Sequence, residues 1–201
     1  LPGPVEVEAV AIGPEGIIEG IKPGSVWLDL STSSPTLIRN LAIEFQKKKA
    51  IAMDAPVSGG VKGAREGKLA VMVGGDEVTF NRLEQLLNSF GDRVTYTGGI
   101  GSGSISKLMH NAIGYGMQMI ISECLTLGVK AGIKVSTLQE VISVSSGASS
   151  AFNNMIHNVM TESTIPPKGN KPTRGLHTLV KDTALASELA RELSVPLLAG
   201  S

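Results

Sequence analysis

The sequence predicts an α/β domain, followed by a long linking helix and an all-helical domain. Across residues 1–102, short apolar segments alternate with helical patterns, which is typical of βαβ units and a mostly parallel sheet. One long helical stretch then begins near Ser104, and no strand pattern of comparable strength follows it. We therefore divide the chain into residues 1–102 and residues 103–201.

The α/β part is predicted to contain four strands. These are expected at residues 25–30, 50–53, 68–73 and 93–96. Helices are expected at residues 4–18, from Pro35 to about residue 48, and after Asp76. Ser34 is the expected N-cap of the second helix, with Pro35 at its first helical position. Asp76 is the expected cap of the third helix, whose apolar residues recur at helical spacing.

The helical part opens with the long stretch at residues 104–131, which Gly132 is expected to end. The pattern from Ser136 to Gln139 matches a capping box and predicts the start of the next helix. Two further helices are expected, at residues 151–160 and 176–193. Residues 161–174 are rich in Pro, Gly and Lys, so a loop is predicted there.

Composition and charge argue against several classes of function. The 201 residues carry 18 basic and 18 acidic side chains, and this zero net charge argues against nucleic acid as a partner. The most apolar stretch, residues 105–129, includes a lysine, a histidine and a glutamate, so we expect no membrane span. The histidines lack metal-ligand spacing, so no metal site is expected.

The single cysteine, Cys124, excludes an internal disulfide framework. It lies in an apolar stretch and is predicted to be a small core residue. This cysteine usage fits a reducing compartment. We expect the cytoplasm, or the mitochondrial matrix if the source is eukaryotic.

A glycine-rich turn is the first candidate site. Residues 54–60 read Asp-Ala-Pro-Val-Ser-Gly-Gly, at the predicted end of the second strand. Adjacent glycines leave the backbone amides open to a ligand, and the Ser58 hydroxyl adds a donor, which suits a carboxylate or phosphate oxygen. Spacing alone favours the simpler alternative, a glycine turn before the next strand.

Lys107 and Asn111 form the second candidate site, because residues four apart share one face of a helix. A lysine in the first turns of an apolar helix lies near the positive end of the helix dipole. Such a lysine, if also buried, has a lowered pKa and can transfer a proton near neutral pH. A lysine that extends its amine to solvent at the helix end is an equally good alternative.

Lys181 and Asp182 form the third candidate site, within the last predicted helix. Apolar residues flank the pair in the sequence, among them Leu179 and Leu185. Periodicity alone favours a solvated charge pair at these positions.

The three motifs in this order resemble the β-hydroxyacid dehydrogenases, a family that includes 3-hydroxyisobutyrate dehydrogenase and tartronate semialdehyde reductase. The resemblance rests on DAPVSGG, on GxGxxxK with an asparagine four residues after the lysine, and on the late Lys-Asp pair. The segments LPGPVEVEAV, DLSTSSP and KLAVMVGGD are also similar to the family. The resemblance covers nearly the whole chain and implies that residues 1–102 are the C-terminal portion of a Rossmann-type, NAD(P)-binding domain.

The resemblance also implies a role for each candidate residue. Contacts with the cofactor are expected from Leu1, Pro2, Thr32, Lys181 and Asp182. The substrate carboxylate is expected to bind at Ser58, Gly59 and Gly60. The residue expected to transfer the proton at the substrate hydroxyl is Lys107, while Asn111 orients the substrate and the lysine.

Some features depart from the family pattern. No GxGxxG occurs, so the choice between NAD and NADP is not readable, and these residues alone are expected to bind dinucleotide poorly. The chain opens on Leu1 within a helical pattern and ends abruptly at Ser201, so both ends are expected to be cuts in a longer protein. His110 replaces a frequent asparagine. Arg174 replaces a usual aromatic residue, which suggests a preference for substrates with a second acidic group.

We therefore expect an NAD(P)-dependent oxidoreductase that interconverts a small β-hydroxy acid and its semialdehyde or keto acid. One alternative is a non-catalytic oligomerisation or binding module derived from the family, and another is a related imine reductase. Lys107 counts against both, because the first would have lost this lysine and the second usually has a different proton donor there. The apolar long helix predicts a homodimer or homotetramer.

Overall fold

The structure, a computed structural model, describes residues 1–161 and 175–197. The strands are β1 (Val26–Asp29), β2 (Ile51–Asp54), β3 (Val57–Ser58), β4 (Leu69–Gly74) and β5 (Gly91–Gly98). The helices are α1 (Pro4–Ile12), α2 (Ile17–Gly20), α3 (Pro35–Lys47), α4 (Gly60–Glu66), α5 (Glu77–Leu87), α6 (Ser102–Lys130), α7 (Val135–Ser143), α8 (Ser150–Met160) and α9 (Gly175–Glu192). Within the described residues, every strand precedes α6.

The chain divides into two compact units. Unit 1 comprises Leu1–His110 and Ala184–Pro196, and it contains the whole sheet. Unit 2 comprises Asn111–Thr183 and Leu197–Ser201, and its described part is helical. The division therefore falls within α6 and again within α9.

The sheet is mixed, whereas the sequence predicted a mostly parallel one. β1 runs parallel to β2, and Asp29 lies opposite Asp54 at the end of the pair. β4 runs parallel to β5 but antiparallel to both β2 and β3. The sequence prediction missed β3 and α4, because β3 has two residues and α4 begins inside the glycine-rich segment.

Apolar side chains cover both faces of this sheet. Successive side chains of a strand point to opposite faces, so Ala52 packs in one cluster and its neighbour Met53 in another. Val7 of α1 and Phe45 of α3 belong to the cluster of Ala52. Leu87 of α5 belongs to the cluster of Met53. Helices therefore pack on both faces, as in a doubly wound α/β domain.

The local signals at helix ends were right in two places and wrong in two others. Ser34 accepts a hydrogen bond from Leu37 N at 3.4 Å, and Asp76 accepts one from Thr79 N at 2.8 Å, so both expected caps form. The helix expected at residues 4–18 breaks after Ile12, because two glycines follow closely. The expected capping box does not form: α7 begins at Val135, after an N-cap without a side-chain bond.

The described part of unit 2 packs around a small core from α6 and α8. Its buried residues are Leu125, Phe152 and Ile156, with partly buried residues of α7 against them. Cys124, which was expected in the core, is exposed, so that prediction was wrong. The α6 residues that contact this core are Ile121 and Leu125, and Cys124 is not among them. Of the predicted loop, residues 162–174 lie outside the described residues.

One described helix, α6, is long and apolar enough to cross a membrane by length and composition alone. Its most apolar window has a mean hydropathy of 1.2, and 6% of that window is buried. A core or interface helix of a soluble protein passes the same test, so this is weak support for a span. The expectation of no membrane span therefore stays a prediction.

Candidate active site

Two candidate segments of unit 1 follow the ends of the parallel strands β1 and β2. Thr32 lies three residues after Asp29, the last residue of β1. The turn with Ser58 follows Asp54, the last residue of β2. In open α/β sheets, ligands bind beyond the carboxyl ends of parallel strands. A ligand site is therefore expected at this edge of the sheet.

The loop after β1 brings several of the expected cofactor contacts together. The Leu1 nitrogen donates a hydrogen bond to Ser31 Oγ at 2.9 Å, so Leu1 and Pro2 lie beside the loop that carries Thr32. Thr32 itself is half-buried.

The end of β1 and the loop after it hold two buried polar residues that sequence reasoning missed. Ser33 Oγ and Asp29 Oδ2 are buried and have no hydrogen-bond partner among the described residues. Burial raises the pKa of the Asp29 carboxyl, although hydrogen bonds from Ser31 oppose the rise. Buried polar atoms normally have partners. These two atoms therefore fit a strand end that receives a polar group of a ligand.

The Ser58-Gly59-Gly60 turn has the backbone form that the sequence suggested. Gly59 has a φ of 134° and Gly60 a φ of 61°, a region that favours glycine. Both glycines are exposed, so their backbone is accessible. The turn leads from β3 into the helix α4, so it is not a turn directly before the next strand.

His110 links this turn to helix α6. The Nε2 atom of His110 lies 3.5 Å from Ser58 Oγ, and either group can be the donor. Lys107 precedes His110 by three residues, and residues three apart on a helix are neighbours on one face. The face of α6 that carries Lys107 therefore lies next to the Ser58 turn, within unit 1.

Lys107 is buried, with 8% of its surface exposed. The alternative of a lysine that extends to solvent was therefore wrong. A buried ammonium group is costly unless it is paired, so buried lysines are often tuned for proton transfer.

Asp54 is a further functional candidate that local sequence reasoning missed. Its side chain is fully buried and accepts hydrogen bonds from Gly101 N at 2.7 Å and from Ser104 N at 2.6 Å. It therefore caps the start of α6 from a distant position. No local signal links residues so far apart in the chain. The sequence marked Asp54 only as the first residue of the DAPVSGG motif.

In unit 2, Asn111 and Asp182 are hydrogen-bonded to each other. Asn111 Nδ2 donates to Asp182 Oδ2 at 2.6 Å, and the Tyr115 hydroxyl donates to the same oxygen at 3.2 Å. Asp182 Oδ1 lies 2.7 Å from Lys181 Nζ, an ion pair that does not meet the geometry of a hydrogen bond. Asp182 is 1% exposed, so the alternative of a solvated charge pair was wrong.

Tyr115 is a member of this cluster that sequence reasoning missed. Desolvation by burial, followed by the charge of Asp182 and the hydrogen bond to it, raises the pKa of Tyr115 to about 12. The signal was available, because Tyr115 lies four residues after Asn111 on α6. Its hydroxyl therefore remains a donor over the physiological pH range.

Two further expectations from the sequence concern Arg174 and metal ligands. Arg174 lies outside the described residues. Across residues 1–161 and 175–197, no group of three or more His, Cys, Asp or Glu side chains could hold a metal ion. The candidate chemistry of the described residues therefore rests on a lysine, hydroxyls, amides and a carboxylate network.

Comparison with protein families matches both parts of the chain. Residues 1–98 match the NAD binding domain of 6-phosphogluconate dehydrogenase. Residues 101–201 match the NAD-binding domain of NADP-dependent 3-hydroxyisobutyrate dehydrogenase. Both families bind a nicotinamide dinucleotide, and the two descriptions leave the choice between NAD and NADP open.

Two named dehydrogenases match nearly the whole chain. Rat (Rattus norvegicus) mitochondrial 3-hydroxyisobutyrate dehydrogenase is 37% identical over 206 residues, covering 100% of this chain and 60% of the relative. The 2-(hydroxymethyl)glutarate dehydrogenase of Eubacterium barkeri is 36% identical, covering 98% of this chain and 64% of the relative. The chain thus spans less than two thirds of the length of these relatives.

A solved structure confirms the expected fold class. The 3-hydroxyisobutyrate dehydrogenase of Mycobacterium tuberculosis, determined with L-serine, superposes with a TM-score of 0.83 at 29% identity. The match covers 100% of this chain and 68% of that protein. Together with the family match over residues 101–201, it confirms the resemblance predicted from the motifs. The chain belongs to the β-hydroxyacid dehydrogenase family.

Proposed function

We propose that the native protein is an NAD(P)-dependent dehydrogenase that interconverts a small β-hydroxy acid and its semialdehyde or keto acid. One observation carries this proposal. The buried Lys107 lies one helical turn before His110, and the His110 ring lies 3.5 Å from Ser58 in the glycine turn. A group that can carry a proton therefore lies beside a turn suited to a carboxylate. Membership of the family supports the same activity.

In the proposed reaction, the turn holds the substrate and Lys107 moves the proton. The Ser58 hydroxyl and the backbone of Gly59 and Gly60 bind the substrate carboxylate, which directs the substrate hydroxyl toward α6. Lys107 Nζ accepts the hydroxyl proton as the alcohol is oxidised. In the reverse direction it returns that proton to the carbonyl oxygen. When bound, the nicotinamide supplies the hydride acceptor or donor.

The other candidate residues support these steps. Leu1, Pro2 and Thr32 are proposed to contact the cofactor at the end of β1. Asn111 is proposed to orient the substrate and the lysine. Because Asp182 is buried with both oxygens engaged, we propose that it acts by holding Asn111 and Lys181, and that Lys181 is the member of the pair that touches the cofactor.

An initial-rate assay tests the proposed activity. The native protein is mixed with NAD or NADP and with small β-hydroxy acids such as 3-hydroxyisobutyrate, and formation of the reduced nicotinamide is followed. We expect turnover with at least one such acid, and a faster rate with one of the two cofactors. Absence of turnover with both cofactors across the acids, in a protein that is folded, would favour the non-catalytic binding module.

The substrate class is proposed to include acids with a second carboxylate. Arg174 replaces a usual aromatic residue, and a relative that is 36% identical is named for a hydroxylated dicarboxylate. An Arg174→Ala variant should then lose rate with dicarboxylates more than with monocarboxylates. An unchanged ranking of the two substrate types would exclude this role of Arg174.

We also propose that the domain division lies between residues 102 and 103, and that the native protein occupies a reducing compartment.

The native protein is further proposed to be a homodimer or homotetramer. Helix α6 exposes large apolar side chains, among them Ile113, Ile120 and Leu127. The same helix contributes Met119 and Ser122 to a groove of about 360 Å³, which is also lined by Met155. Sedimentation of the native protein and of Leu127→Glu tests this: a shift of the variant toward monomer is expected, and a monomeric native protein would exclude it.

A further inference from the structure

We propose that Asp54 is a positioning residue for the dehydrogenase reaction, because one buried side chain joins the start of the Lys107 helix to the turn that carries Ser58. The inference rests on the proposed function for its kinetic consequence. Its geometric basis lies entirely within unit 1. Asp54 itself is not assigned any contact with substrate or cofactor.

The first half of this arrangement is the cap on α6. The first amides of a helix have no partner inside the helix. Gly101 N and Ser104 N donate to Oδ1 and Oδ2 of Asp54, so one carboxylate satisfies two of them at 2.7 and 2.6 Å. Such charge-assisted bonds are the stronger and shorter kind. Lys107 follows Ser104 by three residues, a rise of about 4.5 Å along the helix, so the position of this cap sets the position of Lys107.

The second half is the short path from Asp54 to Ser58. Asp54 is the last residue of β2, and the path is held by backbone hydrogen bonds. Ala55 N donates to Asp29 O at 2.7 Å, and Met72 N donates to Pro56 O at 3.1 Å. The residue that fixes α6 is therefore itself fixed to the sheet, four residues before the hydroxyl proposed to bind the substrate.

Close packing leaves this carboxylate almost no freedom. A Cβ atom added at Gly74 would lie 2.5 Å from Asp54 Oδ1, and one added at Gly103 would lie 2.8 Å from Asp54 O. Real Cβ atoms do not approach other atoms so closely, so α6 and β4 reach this separation only because both positions are glycine. The hydrogen bonds and the packing therefore define a single place for the start of α6.

Stabilisation of α6 alone does not require a cap as distant in sequence as Asp54. Helices α3 and α5 are capped by the local side chains Ser34 and Asp76. The residue before α6 is Gly101, which has no side chain, and its cap comes from 47 residues upstream. A local serine would cap a helix at least as well. A cap from Asp54 also fixes the distance between the start of α6 and the strand that leads to Ser58. A site that uses both Lys107 and Ser58 needs this distance to be constant.

The test compares Asp54→Asn with Asp76→Asn in the native protein. Both changes replace a capping carboxylate by an amide of the same shape, but only Asp54 caps the helix of Lys107. We expect Asp54→Asn to lower kcat by on the order of 10- to 100-fold, as small misplacements of reacting groups do, with a much smaller change in KM for the hydroxy acid. We expect Asp76→Asn to keep the wild-type kcat. A backbone NMR spectrum should show the amide protons of Gly101 and Ser104 moving upfield in Asp54→Asn only.

The outcomes separate this inference from the proposed function. If the wild-type protein oxidises no hydroxy acid, the proposed function fails, and a positioning role for Asp54 in that reaction fails with it, whatever the NMR spectrum shows. If the wild type is active and a folded Asp54→Asn keeps its kcat, or loses kcat no more than Asp76→Asn, only the inference fails. If Asp54→Asn does not fold, it is replaced by Asp54→Ser, whose side chain is smaller and offers one neutral acceptor. The same result is expected, a lower kcat with a much smaller change in KM.

Discussion

Asn111 Nδ2 donates a hydrogen bond to the buried carboxylate of Asp182, at 2.6 Å from Oδ2. The two residues lie 71 positions apart, on α6 and α9. The bond fixes the amide of Asn111, and the ion pair on the other oxygen holds the amine of Lys181. Two motifs that the sequence shows separately are therefore one polar cluster within unit 2.

Removal of the central carboxylate should destabilise the protein. In Asp182→Ala, Asn111 and Tyr115 lose a shared buried acceptor, and Lys181 loses its ion pair with Asp182. We expect the free energy of unfolding to fall by about 3 kcal/mol, the size typical of breaking a buried polar network. Urea denaturation measures it. The exposed carboxylate of Glu140 on α7 is the control, and Glu140→Ala should cost less than about 0.5 kcal/mol; equal costs for the two variants would contradict the account.

The raised pKa of Tyr115 predicts a loss of stability at high pH. The folded protein holds the phenolic proton to about pH 12, against an ordinary value of 10.0. Between these values the folded state binds more protons than the unfolded state, so stability falls as the pH rises through this window. The chain has two tyrosines, so the ultraviolet absorbance of Tyr96→Phe reports Tyr115 alone. A midpoint near 10 in the folded protein would contradict the burial of Tyr115 against Asp182.

His110 should affect substrate binding more than turnover. Its ring contacts the Ser58 hydroxyl, and a typical hydrogen bond contributes about 1 kcal/mol. We therefore expect His110→Ala to raise KM for the hydroxy acid about 5-fold, which is the corresponding factor, with kcat changed less. The exposed His157 on α8 provides the control, and His157→Ala should leave both constants unchanged. A fall in kcat at constant KM would instead give His110 a part in the chemistry.

The sequence predicted the features of this protein that depend on local or periodic patterns. Apolar periodicity predicted the α/β order and the long helix, and the capping residues Ser34 and Asp76 predicted two helix starts. The order of three motifs predicted the family. The mixed sheet was not predicted, because the direction of β4 depends on the two-residue strand β3, which is too short to leave a periodic signal.

Contacts between distant residues explain what the sequence left unpredicted at the site. Periodicity could not distinguish a buried Asp182 from a solvated one, because its burial depends on Asn111 and Tyr115 from another helix. The same holds for Asp54, whose partners at the start of α6 lie about fifty positions away. The exposure of Cys124 could not be read either, since an apolar stretch of α6 has more than one apolar face.

Lys107 is proposed to transfer the proton between enzyme and substrate, and a Lys107→Ala variant is the sharpest test of this role. The matched control is Lys130→Ala, at the other end of the same helix, where the side chain is exposed. The assay uses NAD or NADP and a small β-hydroxy acid. We expect kcat of Lys107→Ala to fall by on the order of 10²- to 10⁴-fold, the range typical of removing a general acid or base. The affinity of Lys107→Ala for the cofactor and the kcat of Lys130→Ala should stay close to the wild-type values. Wild-type turnover by Lys107→Ala would contradict the claim.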